Sequence, residues 1–140
     1  MGTRRVVNVL LRQDDRVLLL KRTGTEAWVG SYTSPGGGVD EGETYHQAAV
    51  REVREEIGVE VNPDDLVFAG LFDKAWRKDK TVQVSYVFFT AHTWQGEPYN
   101  AEPHKHADPE WFSLSQLPET ISPLEKMVIE RDFQPDLVVM

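Results

Sequence analysis

The stretch Gly37–Val59, GGVDEGETYHQAAVREVREEIGV, decides how the rest of this 140-residue chain is read. It predicts a glycine loop feeding an acid-rich helix. Thr44 is a natural N-cap, and Gln47 three residues on completes a capping-box pattern. Gly58 stands where a left-handed C-terminal cap belongs. At about 100° per residue, Ala49, Val50, Val53 and Ile57 share a face that can pack on a sheet. Glu52, Glu55 and Glu56 are spaced i, i+3, i+4 and project from another stripe, with Ala48 one turn earlier leaving open space above them.

Three carboxylates on one stripe are costly without a partner. At about 6 Å and an effective dielectric of about 20, each pair repels by roughly 2–3 kcal/mol. Arg51 and Arg54 relieve this at the flanks, but Tyr45 and Ala48 leave the acids facing a gap. Hard divalent cations suit such oxygen ligands, and Mg²⁺ is the usual choice when a phosphate substrate supplies the remaining ones. The plain alternative is a surface helix carrying glutamates for solubility, the default for most charge runs.

The spacing argues against that default. Gly37, Glu43, Arg51, Glu52, Glu55, Glu56 and Gly58, with aliphatic Val53 and Val59, fit the pattern G-x5-E-x7-R-E-U-x-E-E-x-G-U in full. On these residues the chain resembles the Nudix hydrolase family. Outside this box, the lead-in Pro35-Gly36-Gly37, paired N-terminal strands and a Trp111-Phe112 strand are similar to the family too, so the resemblance spans nearly the whole chain.

The length suits one domain over residues 1–140. With 40% hydrophobic and 27% charged residues, the composition is ordinary for a soluble globular protein. The longest apolar runs, Val17–Leu20 and Val84–Phe89, are too short to cross a membrane. The N-terminal stretch MGTRRVVNVLLRQDD does not read as a secretory signal. The chain has no cysteine, which excludes disulfides, thiol catalysis and zinc–thiolate sites, and a cytoplasmic protein is the simplest fit. A net charge of −8 repels a long nucleic-acid backbone, so no stable nucleic-acid partner is expected. A small polyphosphate arriving with its cation is not excluded, because the metal cancels much of its charge.

Along the chain, Arg5–Arg12 and Arg16–Arg22 read as strands joined by Gln13-Asp14-Asp15, and Trp28–Thr33 as a short aromatic strand. Pro35-Gly36-Gly37-Gly38 reads as a tight irregular loop where backbone can approach a ligand. After a turn at Pro63-Asp64-Asp65, Leu66–Asp73 and Thr81–Ala91 read as long strands around a basic, exposed KAWRKDK segment. A long loop from Trp94 to Pro109 leads to a short strand at Glu110-Trp111-Phe112 and one helical turn at Ser115–Leu117. Ser122-Pro123 opens a helix to about Arg131, and an apolar tail follows from Phe133 to Met140. Strands on either side of one helix, with a second helix near the end, predict an α/β fold with a mixed sheet between helices. That agrees with the Nudix-type α/β/α sandwich implied by the resemblance.

The resemblance also implies roles, carried over position by position. Glu52, Glu55 and Glu56 become a metal shell, joined by the Gly36 carbonyl, with Mg²⁺ as cofactor and Mn²⁺ as a substitute. Glu52 is the first choice as the base that activates water, with Glu56 and Glu102 as further catalytic carboxylates. Gly37, Glu43 and Arg51 orient the loop and the helix. Glu102 lies in GEPYNAEPHKH, a run similar to one in some MutT-type nucleoside triphosphate hydrolases, and ranks ahead of Glu97 as a fourth carboxylate. Arg22, Trp28, Tyr32 and Lys74 are weaker substrate-binding candidates, the aromatics as stacking faces for a base. His104-x-His106 has the look of a transition-metal pair, but two histidines in a polar loop read more simply as solvated residues, and His46 has no evident role. Ser34 stands where the family usually has a leucine-like residue, which leaves the shape of the base pocket open.

The activity implied is hydrolysis of a nucleoside diphosphate linked to another group, with (deoxy)nucleoside triphosphates favoured and monophosphate plus pyrophosphate released. ADP-ribose or nucleotide-sugar hydrolysis is the runner-up. A non-catalytic nucleotide-sensing module is the contrasting class, disfavoured because such proteins lose box acids that this chain keeps. The partner expected is a small-molecule nucleotide, and a homodimer is an expectation from the family.

Overall fold

The computed structural model describes residues 2–24, 29–76 and 82–133, with the side chains of 2, 74–76, 82, 132 and 133 outside that description. The N-terminal hairpin forms where its apolar runs predict it. Strand β1 (Gly2–Gln13) turns through Asp14-Asp15 into β2 (Arg16–Lys21). Asp14 takes the left-handed φ of 55° that an aspartate tolerates in a tight turn. Strand β2 is buried at all four central positions, so both of its faces are covered.

Those two faces belong to different layers. Val7, Val9 and Leu11 of β1 and Leu18 and Leu20 of β2 pack with Ala48, Ala49, Val53 and Ile57 of helix α1 (Tyr45–Ile57). The alternate residues Leu10, Val17 and Leu19 pack with Val128 and Ile129 of helix α2 (Pro123–Phe133). A period of two along the strands thus feeds one core on each side of the sheet.

Among the described residues the sheet has seven strands. Its main path runs β3 (Tyr32–Thr33), β2, β1, β6 (Val82–Ala91), β5 (Val67–Trp76). Strand β4 (Gly36–Gly38) pairs with β1, and β7 (Glu110–Ser113) pairs with β2. The β1–β6 pairing is parallel, from Gly2 opposite Val82 to Leu11 opposite Ala91, and the other pairings are antiparallel. The expected α/β fold, a mixed sheet between helices, is the fold observed. No helix among the described residues is long and apolar enough to cross a membrane.

Three local expectations are corrected. Gly36–Gly38 is strand rather than irregular loop, with Asn8 opposite Gly36, Val7 opposite Gly37 and Val6 opposite Gly38. Its ladder comes from β1, a partner that local glycine propensity does not reveal. Ser115–Leu117 is not helical: Leu114-Ser115 is a turn closed by the Gln116 amide on the Ser113 carbonyl at 3.0 Å. The Ser113 hydroxyl captures the Ser115 amide at 3.3 Å, and Pro118 disfavours helical backbone just before it. The aromatic strand before the glycines shrinks to Tyr32–Thr33, since Val29-Gly30 is a turn with Gly30 at φ 89°. Trp28, the basic tip at Arg77, Lys78 and Lys80, and tail residues 134–140 lie outside the described residues.

Candidate active site

Helix α1 is closed at both ends as its sequence predicts. The Thr44 hydroxyl accepts from the Gln47 amide at 3.0 Å, and the Gln47 side chain accepts from the Thr44 amide at 2.9 Å. Gly58 caps the C-terminus at φ 70°, its amide donating to the Arg54 carbonyl. The acidic stripe lies against β4. The Gly36 amide donates to Glu56 Oε2 at 2.6 Å, and a Cβ at Gly37 would stand 2.5 Å from the Glu52 carboxylate. Gly37 is therefore required for closeness: the backbone lies where any side chain would displace an acid.

The three box acids differ sharply in surroundings. Glu56 is buried, Glu52 is mostly covered, and Glu55 is half exposed. Ala48 is fully buried in the core, so it leaves no open space above the acids; the gap they face is bounded by β4 and a later loop. Arg51 holds the group together. Its guanidinium donates to both Glu43 oxygens (2.8 and 2.9 Å), to Glu52 Oε1 (2.9 Å), to Glu55 Oε2 (3.3 Å) and to the Gly38 carbonyl (2.9 Å). These bonds to Arg51 hold the Glu43 carboxyl down at about 2. Burial, reinforced by the Glu56 charge and opposed by Arg51, pushes Glu52 up to about 7. Burial also raises Glu56. Burial thus makes the charged forms of both carboxylates costly here unless a cation joins them.

The loop after β6 closes over this stripe. Tyr99 and Ala101 amides donate to the Ile57 and Glu56 carbonyls, both at 3.0 Å, which lays the chain across the end of α1. Asn100 accepts from the Glu102 amide at 3.1 Å and donates to the His106 carbonyl at 2.6 Å. Arg22 and His106 form a backbone bridge, and the Ala107 amide reaches the Lys21 carbonyl at 2.9 Å. The result brings Glu102 and His106 to Glu56, with one donor atom from each residue lying within 4.8 Å of the others.

A model of the NUDIX domain matches residues 2–132. The chain belongs to the Nudix family. It is similar to the 8-oxo-dGTP diphosphatase of Escherichia coli, 28% identical over 79% of this chain and 80% of that one. It is also similar to the ADP-ribose pyrophosphatase of Methanocaldococcus jannaschii, 31% identical over 87% of this chain and 69% of that one. Among solved structures, a MutT Nudix hydrolase from Burkholderia pseudomallei matches with a TM-score of 0.82 at 27% identity, over 91% of this chain and 96% of that one. As a Nudix hydrolase the protein acts on phosphoanhydride bonds.

Nudix hydrolases generally need a divalent metal, and the residues present fit one. Buried or crowded carboxylates with raised proton affinity, next to an imidazole whose ring nitrogens lack hydrogen bonds among the described residues, form a set of donors that suits a cation. The structure brings together Gly36, Gly37, Glu43, Arg51, Glu52, Glu56 and Glu102 of the Nudix site predicted from sequence. Glu55 stands at the solvent edge beside Arg51. Tyr32 is partly buried and packs edge-on to Phe112 at 5.1 Å, so its ring serves the α2-side core. Arg22 joins the site by its backbone, and Lys74 lies on β5 with its side chain outside the description.

One side chain departs from its sequence reading, and another takes a further role. His106 is buried rather than solvated, while His104 is exposed. Glu125, which the Ser122-Pro123-x-Glu125 pattern marks as a helix-capping residue, is buried and also accepts from the Ser34 amide at 3.2 Å and hydroxyl at 3.4 Å. This explains Ser34: a leucine-like residue there would leave Glu125 without its hydroxyl donor. His46, without a role in sequence, packs its ring on Phe89 at 4.6 Å.

Proposed function

We propose that this Nudix hydrolase, a single domain over residues 1–140, converts (deoxy)nucleoside triphosphates to monophosphate and pyrophosphate, using Mg²⁺ or, in its place, Mn²⁺. The observation that carries this reading is the seating of Glu52 and Glu56 against the glycine strand, with Glu102 closing the far side. The carboxylates of Glu52, Glu55 and Glu56 and the Gly36 carbonyl would hold the cation. A divalent ion there supplies neutralisation of the charge that grows on the phosphoanhydride oxygens. Glu52 takes a proton from the attacking water, held in place for that role by Arg51. Glu56 and Glu102 complete the acidic wall. Arg51, anchored by Glu43 and the Gly38 carbonyl, fixes the Glu52 carboxylate in place.

Similarity to an 8-oxo-dGTP diphosphatase supports the triphosphate class. A second reading, ADP-ribose hydrolysis, is favoured by the similarity to an ADP-ribose pyrophosphatase. The proposed setting is cytoplasmic, with a small nucleotide as substrate and no stable nucleic-acid partner. A homodimer is part of the proposal, because the outermost strand β5 exposes Val67, Phe68 and Leu71.

A substrate panel decides between the readings. Ordinary and oxidised nucleoside triphosphates, ADP-ribose, nucleotide sugars and dinucleoside polyphosphates are incubated with and without Mg²⁺. Metal-dependent release of monophosphate and pyrophosphate from triphosphates is the expected result. Faster cleavage of ADP-ribose to AMP and ribose 5-phosphate would select the second reading, and tight binding without turnover would overturn both.

A further inference from the structure

We propose that His106 is itself a metal ligand, joining Glu56 and Glu102 in a mixed nitrogen–oxygen site that favours Mn²⁺, Co²⁺ or Zn²⁺ over Mg²⁺. The inference rests on the reading above that the acid cluster holds a divalent cation, and it names a donor that the Nudix box does not contain.

The His106 side chain is only 3% exposed, and among the described residues neither ring nitrogen has a hydrogen-bond partner. Imidazole carries a donor and an acceptor that burial normally requires to be satisfied. Nε2 faces Glu56 Oε1 at 3.5 Å, longer than a formed hydrogen bond. Nor does the ring need its nitrogens to stay in place. The His106 carbonyl accepts from Asn100, its backbone bridges Arg22, and the next amide binds the Lys21 carbonyl. The backbone thus carries the ring to the two acids, with Nε2 beside the Glu56 carboxylate and not locked to it by a short hydrogen bond.

The spacing suits an ion. The three donor atoms lie within 4.8 Å of one another. Ligands opposite each other across a small divalent ion stand roughly 4.2 Å apart, so only a slight contraction closes the shell. Lys105 Nζ, 3.4 Å from Glu102 Oε2, is the competing cation, and its exposed stem lets it swing out when a metal enters. Two carboxylates with one imidazole form a site of intermediate softness. Mg²⁺ prefers oxygen and retains its waters, whereas the transition ions gain from nitrogen.

The test uses Mn²⁺ alone, at less than one equivalent, on the full chain. Electron spin-echo modulation of the bound Mn²⁺ should show coupling to a directly bound nitrogen that changes on ¹⁵N-histidine labelling. The coupling should survive His104→Gln and vanish in His106→Gln. Titration should show Mn²⁺ affinity falling about tenfold or more in His106→Gln, with Mg²⁺ affinity nearly unchanged. The labelling experiment on the unaltered protein stands even where the variant fails to fold. Mn²⁺ bound without nitrogen coupling overturns this inference and leaves the proposed activity standing. Equal loss of Mg²⁺ and Mn²⁺ affinity in the variant also overturns it, since His106 then only orients Glu56. Failure of Mn²⁺ to bind at all overturns both.

Discussion

Crowding Glu52, Glu55 and Glu56 onto one helix is made tolerable by Arg51, whose own orientation is set by Glu43. Bonding to Arg51 keeps the Glu43 carboxyl at about 2, so it is charged in the folded state long after an unfolded glutamate has protonated. A depressed folded value means stability that is present above about 4.5 and lost as pH falls toward 2. Glu43→Gln should therefore cost about 1 kcal/mol at neutral pH, the pair being partly exposed, and its melting temperature should fall less steeply than that of the unaltered protein over that acid window. Melting followed by circular dichroism across pH 2–7 checks this. Gly37→Ala is the complementary test. Extended backbone there accepts alanine, but the new methyl stands 2.5 Å from the Glu52 carboxylate and must push it aside. Turnover should drop by about 100-fold with little change in melting temperature. Equal losses of activity and stability would mean that Gly37 serves packing instead.

At the scale of elements, α1 is a stiff rail that carries the acids past β4. Its capping box is intact and exposed, so Thr44→Ala should lower stability by about 1 kcal/mol in chemical denaturation while barely changing turnover at 25 °C. This helix was legible in sequence because everything that defines it is local: caps at each end, apolar residues at helical spacing, acids one turn apart. Strand β4 was not legible, since three glycines carry no strand preference and their ladder is supplied by β1, some thirty residues earlier. The site divides along the same line. Glu43, Arg51, Glu52 and Glu56 were readable from one helix and its approach. His106 was not, because only the loop's ties to Asn100, Arg22 and Lys21 turn a polar stretch into a buried wall. Ser34 and Glu125 are likewise invisible as a pair until α2 folds back onto the strand before Pro35.

Across the whole molecule, both layers converge on residues 34–37. Helix α1 reaches them through Glu52 and Glu56, and α2 reaches them through Glu125. Burial raises the Glu125 carboxyl to about 7, outweighing the hydrogen bonds from Ser34 and Ser122 that favour its charge. A raised folded value means the native state holds a proton that the unfolded chain releases near 4.5. Stability from this group is full below about 4.5 and declines as pH rises through about 7. Glu125→Gln keeps the acceptor without the charge, so it should flatten the fall in melting temperature between pH 5 and 7.5 and exceed the unaltered protein by several degrees at pH 8. Identical pH profiles would remove Glu125 from the account of the join between layers. Whether the anionic side chains of α1 seat a cation against a nucleotide's phosphates is decided by a crystal structure with Mg²⁺ and a non-hydrolysable deoxynucleoside triphosphate. Metal should lie between Glu52, Glu56 and the Gly36 carbonyl with the polyphosphate upon it; metal and nucleotide bound elsewhere, with these carboxylates facing only water, would refute that role for the helix.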